Sequence, residues 1–151
     1  MNVRLARLED ARPIAQILLE VEWDQSGTVS ELEPLVERLK TALEQYQNGN
    51  SHDAYVLEQG SEVLGYLAVQ WLLPLFNPQL EGYVSDLFVR ASARGTGVGG
   101  QLLEQIALEG RARGCRRLTL VSIWDRESYA RAFYPKHGWL EQDAARFVLK
   151  L

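Results

Sequence analysis

Four glycines lie within six residues of this chain, and that density limits what the surrounding segment can fold into. They follow a strand-like stretch, 82–89, and overlap the start of an amphipathic stretch, 98–112, whose spacing predicts a helix. Glycine adopts positive φ angles and lets a ligand approach the backbone without meeting a Cβ atom. Successive N–H groups at a helix N-terminus, helped by the helix dipole, bind anions such as a diphosphate. A tight turn needs one or two glycines rather than four, so the segment predicts a diphosphate site. The glycines are Gly95, Gly97, Gly99 and Gly100.

Two other phosphate-binding motifs compete with this interpretation. Three of the glycines satisfy the dinucleotide pattern G-x-G-x-x-G, and Asp125 follows the next predicted strand. Against a dinucleotide fold, residues 90–94 separate the strand from the first glycine. Only about thirty residues remain after that next strand, too few for the rest of a doubly wound sheet. A P-loop is excluded because no Lys-Ser or Lys-Thr pair follows the glycines.

Periodicity along the rest of the chain predicts the order β-α-α-β-β-β-α-β-α-β, a mixed α/β fold. Asp10 is suited to cap the first helix, and Ser30 and Glu33 have capping-box spacing at the second. Gly114 is placed to end the third helix in a left-handed conformation. The predicted strands are 2–6, 54–58, 63–73, 82–89, 117–123 and one or two after Gly138 that end at 147–149; the predicted helices begin near Asp10 and Ser30 and cover 98–112 and 127–136.

Two motifs in this order resemble those of the GNAT superfamily of N-acetyltransferases. Residues 94–99, Arg-Gly-Thr-Gly-Val-Gly, are similar to its acyl-CoA-binding motif R-G-x-G-x-G/A. Residues 133–139, Phe-Tyr-Pro-Lys-His-Gly-Trp, resemble its second marker, F-Y-x-K-x-G-F, with Trp139 in place of the usual Phe. The resemblance covers essentially the whole chain. It implies one GNAT domain over residues 1–151, with two central parallel strands, 82–89 and 117–123, that splay apart.

The resemblance also implies a co-substrate site for acetyl-CoA. The pantetheine arm would bind as an added strand along the backbone of residues 87–89, and the thioester would lie between the splayed strands. Amides of residues 94–100 would hold the diphosphate, and a backbone N–H from Val89 or its neighbour would polarise the acyl carbonyl. The implied binding residues are Leu87, Phe88, Val89, Arg94, Gly95, Thr96, Gly97, Val98, Gly99 and Gly100.

Tyr134 is the candidate general acid, because a phenol in the cleft can protonate the departing thiolate. The alternative for Tyr134 is a packing role with a satisfied hydroxyl. A general base is also needed, and relatives often carry a glutamate near the position of Ser85. Strand alternation predicts that Glu81 shares a face with Ser85, Leu87 and Val89, which makes Glu81 the candidate base, whereas Asp86 would face the opposite way.

Composition limits the remaining functions. The chain has 151 residues and a formal net charge of −4, which argues against a broad nucleic-acid-binding surface. No apolar run approaches the roughly 20 residues that cross a bilayer. A single cysteine, Cys115, excludes an internal disulfide and fits a cytoplasmic protein. Neither His52 nor His137 has partners at metal-ligand spacing, so no metal site is expected. Homodimers are common among relatives, which makes a homodimer a further expectation.

The function predicted from the sequence is therefore acetyl transfer from acetyl-CoA to a primary amine, carried by a small molecule or a peptide. Residues 20–24 and 71–76, which mix aromatic, acidic and apolar side chains, are candidates to face the acceptor. Two alternatives stay open. The chain could be a non-catalytic acyl-CoA-binding or sensing domain, or a nucleotide-dependent oxidoreductase that uses the glycine turn.

Overall fold

A computed structural model describes residues 1–21, 31–122 and 131–151. Among these residues the chain divides into two compact units, Met1–Val121 and Ser122–Leu151. The sheet, the long helices and the glycine turn belong to the first unit. The second contains the motif around Tyr134.

The first unit is built on a five-stranded sheet in the order β1-β2-β3-β4-β5. The first four strands are antiparallel neighbours, and β5 runs parallel to β4. A parallel neighbour needs a crossover, and the helix between β4 and β5 supplies it. The strands are β1 Asn2–Leu5, β2 His52–Gln59, β3 Glu62–Leu72, β4 Glu81–Val89 and β5 Arg117–Leu120.

Helices cover both faces of this sheet, as the apolar runs in its middle strands require. Two helices, α1 (Ala11–Glu20) and α2 (Leu32–Asn48), pack together on one face. The other face carries α3 (Val98–Ala112), where Gly65 of β3 leaves room for the helix. A Cβ atom on Gly65 would lie 2.9 Å from both the Phe88 carbonyl oxygen and Val98 Cγ1. The core between the sheet and the first two helices includes Ala11, Ile14, Ile17, Leu35, Val36, Leu43, Val56 and Tyr66.

Helix ends agree with the sequence in some places and differ in others. Gly114 has a φ of 72°, and the Cys115 N–H donates to the Gly110 carbonyl, so the predicted left-handed end of α3 is confirmed. Asp10 precedes α1 but makes no side-chain cap to it. Its carboxylate instead accepts bonds from the Arg4 guanidinium at 2.7 and 2.9 Å and from the Arg7 N–H at 2.6 Å. The ion pair with β1 therefore replaces the predicted cap. Ser30 lies outside the described residues.

The second unit differs from the sequence prediction at its end. Its described helix, α4, covers Phe133–Lys136, within the predicted 127–136. The predicted strand or strands after Gly138 are wrong, because residues 139–151 form neither helix nor strand. Apolar residues at 147–149 suggested a strand, but a strand also needs a partner with which to pair its backbone.

Candidate active site

The parallel pairing of β4 and β5 stops halfway along β4. Its register runs from Glu81 opposite Arg117 to Val84 opposite Leu120, and no further pair forms among the described residues of this unit. Ser85–Val89 continue as strand, bonded to β3 on their other side. Alternate backbone groups of residues 85–89 therefore point toward the side on which β5 has ended. This is the edge along which the sequence predicts that a pantetheine arm binds.

A β-bulge at Ser85 reverses the side-chain alternation at this point. Val84 pairs with Val69 and Asp86 pairs with Ala68, so Ser85 is the additional residue. Beyond it, Leu87 and Val89 pair with Leu67 and Gly65, on the face covered by α3. Glu81 lies on the opposite face, since its neighbour Gly82 faces Trp71 and Leu118 beneath α3. The predicted common face for Glu81, Ser85, Leu87 and Val89 is therefore wrong, because the extra residue shifts the alternation by one.

The same shift places Asp86 on the face of α1 and α2, together with Glu81, contrary to the sequence prediction. Phe88, two residues on, has its ring centroid 5.7 Å from that of Tyr66 on this face. The Asp86 carboxylate accepts bonds from Ser85 Oγ at 2.6 Å and from the Tyr66 hydroxyl at 3.5 Å. Burial raises the pKa of Asp86, and the two hydroxyl donors oppose that shift.

Glu81 has a different environment. Its carboxylate forms ion pairs with Arg116 at 2.7 Å and with Arg117 at 3.0 Å. The hydrogen bond from Arg116, followed by that from Arg117, lowers the pKa of Glu81. A carboxylate held ionised in this way is a weak proton acceptor. The role of Glu81 as general base stays a prediction, and these ion pairs argue against it.

The glycine turn has the backbone conformation that its sequence predicts. After β4, Ala91–Ala93 form a 3₁₀ turn, and the Thr96 hydroxyl donates to the Ala93 carbonyl at 2.7 Å. Gly95 and Gly97 have φ angles of 78° and 91°, which other residues adopt only with strain. Gly97 occupies the N-cap position of α3, which begins at Val98. The free N–H groups of the first helical turn therefore lie next to a turn without bulky side chains.

Charged side chains border the turn. The Arg94 side chain is exposed, and its Nε atom donates to the Val89 carbonyl at 3.4 Å, beside the end of β4. Arg90 is half-buried and pairs with Glu20, the last residue of α1. The Glu20 contact had no sequence signal, because seventy positions separate the partners. Arg94 is thus placed to add a charge-assisted donor to an anion bound at the turn.

Tyr134 lies in α4 of the second unit, in a cluster of aromatic rings. Its ring contacts those of Phe133 and Trp139, with centroids 5.1 and 6.5 Å away. The His137 and Trp139 N–H groups both donate to the Tyr134 carbonyl, and Gly138 has a φ of 81°. The glycine of the second motif therefore permits the tight turn that folds Trp139 back toward Tyr134.

Of the two segments predicted to face the acceptor, 20–24 is only partly described, whereas 71–76 is described in full. Residues 22–24 and Asp125 lie outside the described residues. Trp71 is buried toward α3, where its Nε1 donates to Asp53 at 2.7 Å and the Arg113 guanidinium lies 4.5 Å from its ring centroid. Trp71 therefore does not belong to an exposed apolar wall, whereas Leu73, Leu75 and Phe76 are exposed.

The described residues contain no group of three or more His, Cys, Asp or Glu side chains that could hold a metal ion. Within the same residues, no helix has the length and apolar character to cross a membrane.

Comparisons with known proteins agree with this geometry. The sequence model of the Acetyltransferase (GNAT) family matches residues 15–139. No curated protein sequence matches the chain. A transcriptional regulator from Bacillus halodurans C-125 is 24% identical, with a TM-score of 0.78 over 99% of this chain and 97% of that one.

Two enzymes are also similar in structure. An aminoglycoside acetyltransferase, meta-AAC0020 from an uncultured soil metagenomic sample, in complex with sisomicin, is 16% identical with a TM-score of 0.79, over 99% of this chain and 95% of that one. The ribosomal-protein-alanine N-acetyltransferase of Brucella melitensis biovar Abortus 2308 is 17% identical with a TM-score of 0.74, over the full length of both chains. At these identities the structural likeness shows the fold.

The first unit thus combines a mixed sheet, whose parallel pair stops at a bulge, with a glycine turn and a helix. With the family match over residues 15–139, the chain belongs to the GNAT acetyltransferase family, and its class of activity is acyl transfer.

Proposed function

We propose that this protein transfers an acetyl group from acetyl-CoA to a primary amine. The observation that carries the proposal is the continuity of the open edge of β4, residues 85–89, with the glycine turn at 95–97 and the N-terminus of α3. An extended ligand matches this arrangement if its amide groups lie along the open edge of β4 and its diphosphate lies at the glycine turn. Coenzyme A has this composition.

The chain's groups would then share the work as follows. Backbone groups of Leu87, Phe88 and Val89 bond the pantetheine amides, as in the addition of a strand. Amides from Arg94 to Gly100 bind the diphosphate, and the Arg94 guanidinium adds a positive charge. Gly99 and Gly100 are buried in the first turn of α3.

The reaction itself needs few groups. The amine nitrogen attacks the thioester carbon, a C–N bond forms, and the C–S bond breaks. A backbone N–H near Val89 stabilises the charge that develops on the carbonyl oxygen. Tyr134 is proposed to protonate the leaving thiolate, on the basis of its position in the second motif.

A binding experiment tests the first half of this proposal. Coenzyme A and acetyl-CoA, added separately at about 100 times their dissociation constants, should stabilise the protein by about 2.7 kcal/mol, whereas NAD should not. Stabilisation by NAD alone would instead favour the oxidoreductase alternative.

A turnover experiment tests the second half. Release of free coenzyme A from acetyl-CoA is followed with sisomicin, spermidine, L-lysine and a peptide that begins with alanine. The first and last probes follow from what two structural neighbours act on or bind. Acetylation of at least one amine is expected. Tight coenzyme A binding without turnover of any amine would favour a non-catalytic acyl-CoA-binding domain, and would contradict the proposed reaction.

A further inference from the structure

The face of the sheet that carries α1 and α2 is partly open over β4 and β5. Helix α2 packs on β2, where Tyr46 stacks on His52 with the ring centroids 4.8 Å apart. Across the next three strands, Gln70, Tyr83 and Thr119 follow His52 in register and share its face. These three residues are half-buried, and their side chains form no hydrogen bond among the described residues. This row of polar side chains is therefore free to bond a ligand.

The next row on this face, one step further from the open edge of β4, is positively charged at its surface. Glu81 lies opposite Arg117, and its two carboxylate oxygens bind Arg116 at 2.7 Å and Arg117 at 3.0 Å. The Glu81 side chain is 10% exposed, whereas those of Arg116 and Arg117 are 40% and 47% exposed. Two exposed cations thus share one anion that is almost hidden from solvent.

Arg117 keeps hydrogen-bond donors that the fold does not use. It contacts Glu81 through its Nε atom, and it forms an ion pair with no other acidic group in the part of the chain that the structure describes. A guanidinium carries five N–H donors in a planar fork, and two of them bind a carboxylate together. Arg117 can therefore bind a second carboxylate without releasing Glu81.

The strand register gives the distance between this arginine and the reacting centre. The parallel strands separate beyond Val84, close to Asp86, which lies opposite Ala68 of β3. Glu81 lies opposite Leu72, four residues along the same strand. Four residues of strand span about 13 Å. An extended peptide advances about 3.3–3.6 Å per residue, so a side chain of its fourth or fifth residue lies about this far from its amino terminus.

Resting on the proposed function, we propose that the acceptor is the amino terminus of a peptide that lies along β4. Its backbone passes over the polar row at Tyr83, and Arg117 binds an acidic side chain of its fourth or fifth residue. Arg117 is then a residue that determines specificity without touching the reacting atoms. Polycationic amines such as spermidine meet the same positive row, and repulsion between like charges disfavours them.

The first test varies the charge of the acceptor at a fixed position. Three hexapeptide amides share the sequence Ala-Ser-Gly-X-X-Gly, in which both X residues are Glu, Gln or Lys. We expect kcat/KM to fall in that order by about 5-fold at each step, as for a partly exposed ion pair. The change should be in KM with kcat nearly constant, because the charged group is remote from the reacting nitrogen. The preference should shrink in about 0.5 M salt, which screens exposed charges.

A fourth peptide tests the distance. Ala-Glu-Glu-Ser-Gly-Gly has the composition of the acidic peptide but carries its carboxylates next to the amino terminus, too near to reach Arg117. It should have the KM of the Gln peptide. A KM equal to that of the first acidic peptide would show that position is not recognised and would overturn the proposal.

Variants of Arg117 assign the preference to one side chain. Arg117→Gln should abolish the preference for Glu over Gln, while Arg116 still pairs with Glu81. Arg117→Lys keeps the charge without the planar fork and should retain part of the preference. Arg111→Gln is the matched control, because it removes one exposed positive charge from α3, on the opposite face of the sheet. It should leave the preference unchanged, and melting curves with coenzyme A report whether each variant is folded.

The opposing outcomes are distinct. Equal kcat/KM for the three charge variants of the peptide in the unmodified protein, or a preference for Lys, would overturn the proposal without any variant protein. A preference that survives in Arg117→Gln would contradict the role of Arg117. Acetylation of spermidine or sisomicin but of no peptide would refute the peptide acceptor and leave the proposed function intact. Failure to bind coenzyme A or to acetylate any amine would contradict the proposed function itself.

Discussion

The Glu20 carboxylate, at the end of α1, binds two groups at the start of the glycine turn: the Arg90 guanidinium at 2.5 Å and the Ala91 backbone N–H at 3.1 Å. Arg90 also donates to the Val63 carbonyl at 3.3 Å. One acidic side chain thus joins the end of α1 to residues 90 and 91, which lie just before the segment proposed to bind the diphosphate.

This relationship predicts the effect of Glu20→Gln. The variant loses the ion pair and replaces a charged acceptor of the Ala91 N–H with a neutral one. For a partly exposed pair we expect a loss of about 1 kcal/mol in the free energy of unfolding. This corresponds to a fall of roughly 2–4 °C in the melting temperature. Coenzyme A should bind about 5-fold more weakly, because the entry to the turn is less well positioned. Calorimetric titration measures the affinity, and unchanged affinity would show that the pair does not position the turn.

The positive φ angle of Gly97 predicts that Gly97→Ala lowers the free energy of unfolding. The nearest atom to an added Cβ is 4.0 Å away, so the cost comes from the φ angle of 91° and not from a clash. Strain of this kind is about 1–2 kcal/mol. It can be relieved only by a change of the turn that presents its N–H groups to the diphosphate.

Gly60→Ala is the matched control for that variant. Gly60 also has a positive φ, 63°, and open space around it, but lies in the β2–β3 turn. Both variants should lower the melting temperature by similar amounts, and only Gly97→Ala should weaken coenzyme A binding. Equal binding by the two variants would contradict the assignment of the glycine turn.

Removal of the Tyr134 hydroxyl tests the general acid. Tyr134→Phe keeps the ring, and with it the edge contacts to Phe133 and Trp139. We expect kcat to fall on the order of 100-fold. Coenzyme A affinity and the melting temperature should change little. Undiminished turnover would refute the acid role, and a large loss of stability would favour the packing role instead.

The Glu81 carboxylate should make the stability of the fold depend on pH. The hydrogen bonds from Arg116 and Arg117 lower the pKa of Glu81 in the fold, so its contribution is present above the pKa of the unfolded chain. That contribution is lost as the pH falls through the folded pKa. Glu81→Gln should therefore lower the melting temperature at neutral pH, with a difference that narrows in acid. Melting curves from neutral to acid pH measure this, and a variant as stable as the parent at neutral pH would contradict the role of the ion pairs.

The sequence alone determined the parts of this protein that depend on neighbouring residues. The third helix was predicted over its observed range, 98–112, because its apolar spacing and the Gly114 at its end are local signals. The turn conformations at Gly95 and Gly97 could also be predicted from local sequence, since glycine is the residue that adopts positive φ without strain. The two motifs indicated the family, which the match over 15–139 confirmed.

Tertiary structure decided which way the side chains of β4 point. Alternation predicts the faces of a strand only while each of its residues has one partner on the neighbouring strand. Here Val84 pairs with Val69 and Asp86 pairs with Ala68, so Ser85 is an additional residue without a partner on β3. This single additional residue separated Glu81 from Leu87 and Val89 and placed Asp86 on the face of Glu81. The ion pair between Glu20 and Arg90 was likewise decided by packing, because it joins residues that only the folded chain brings together.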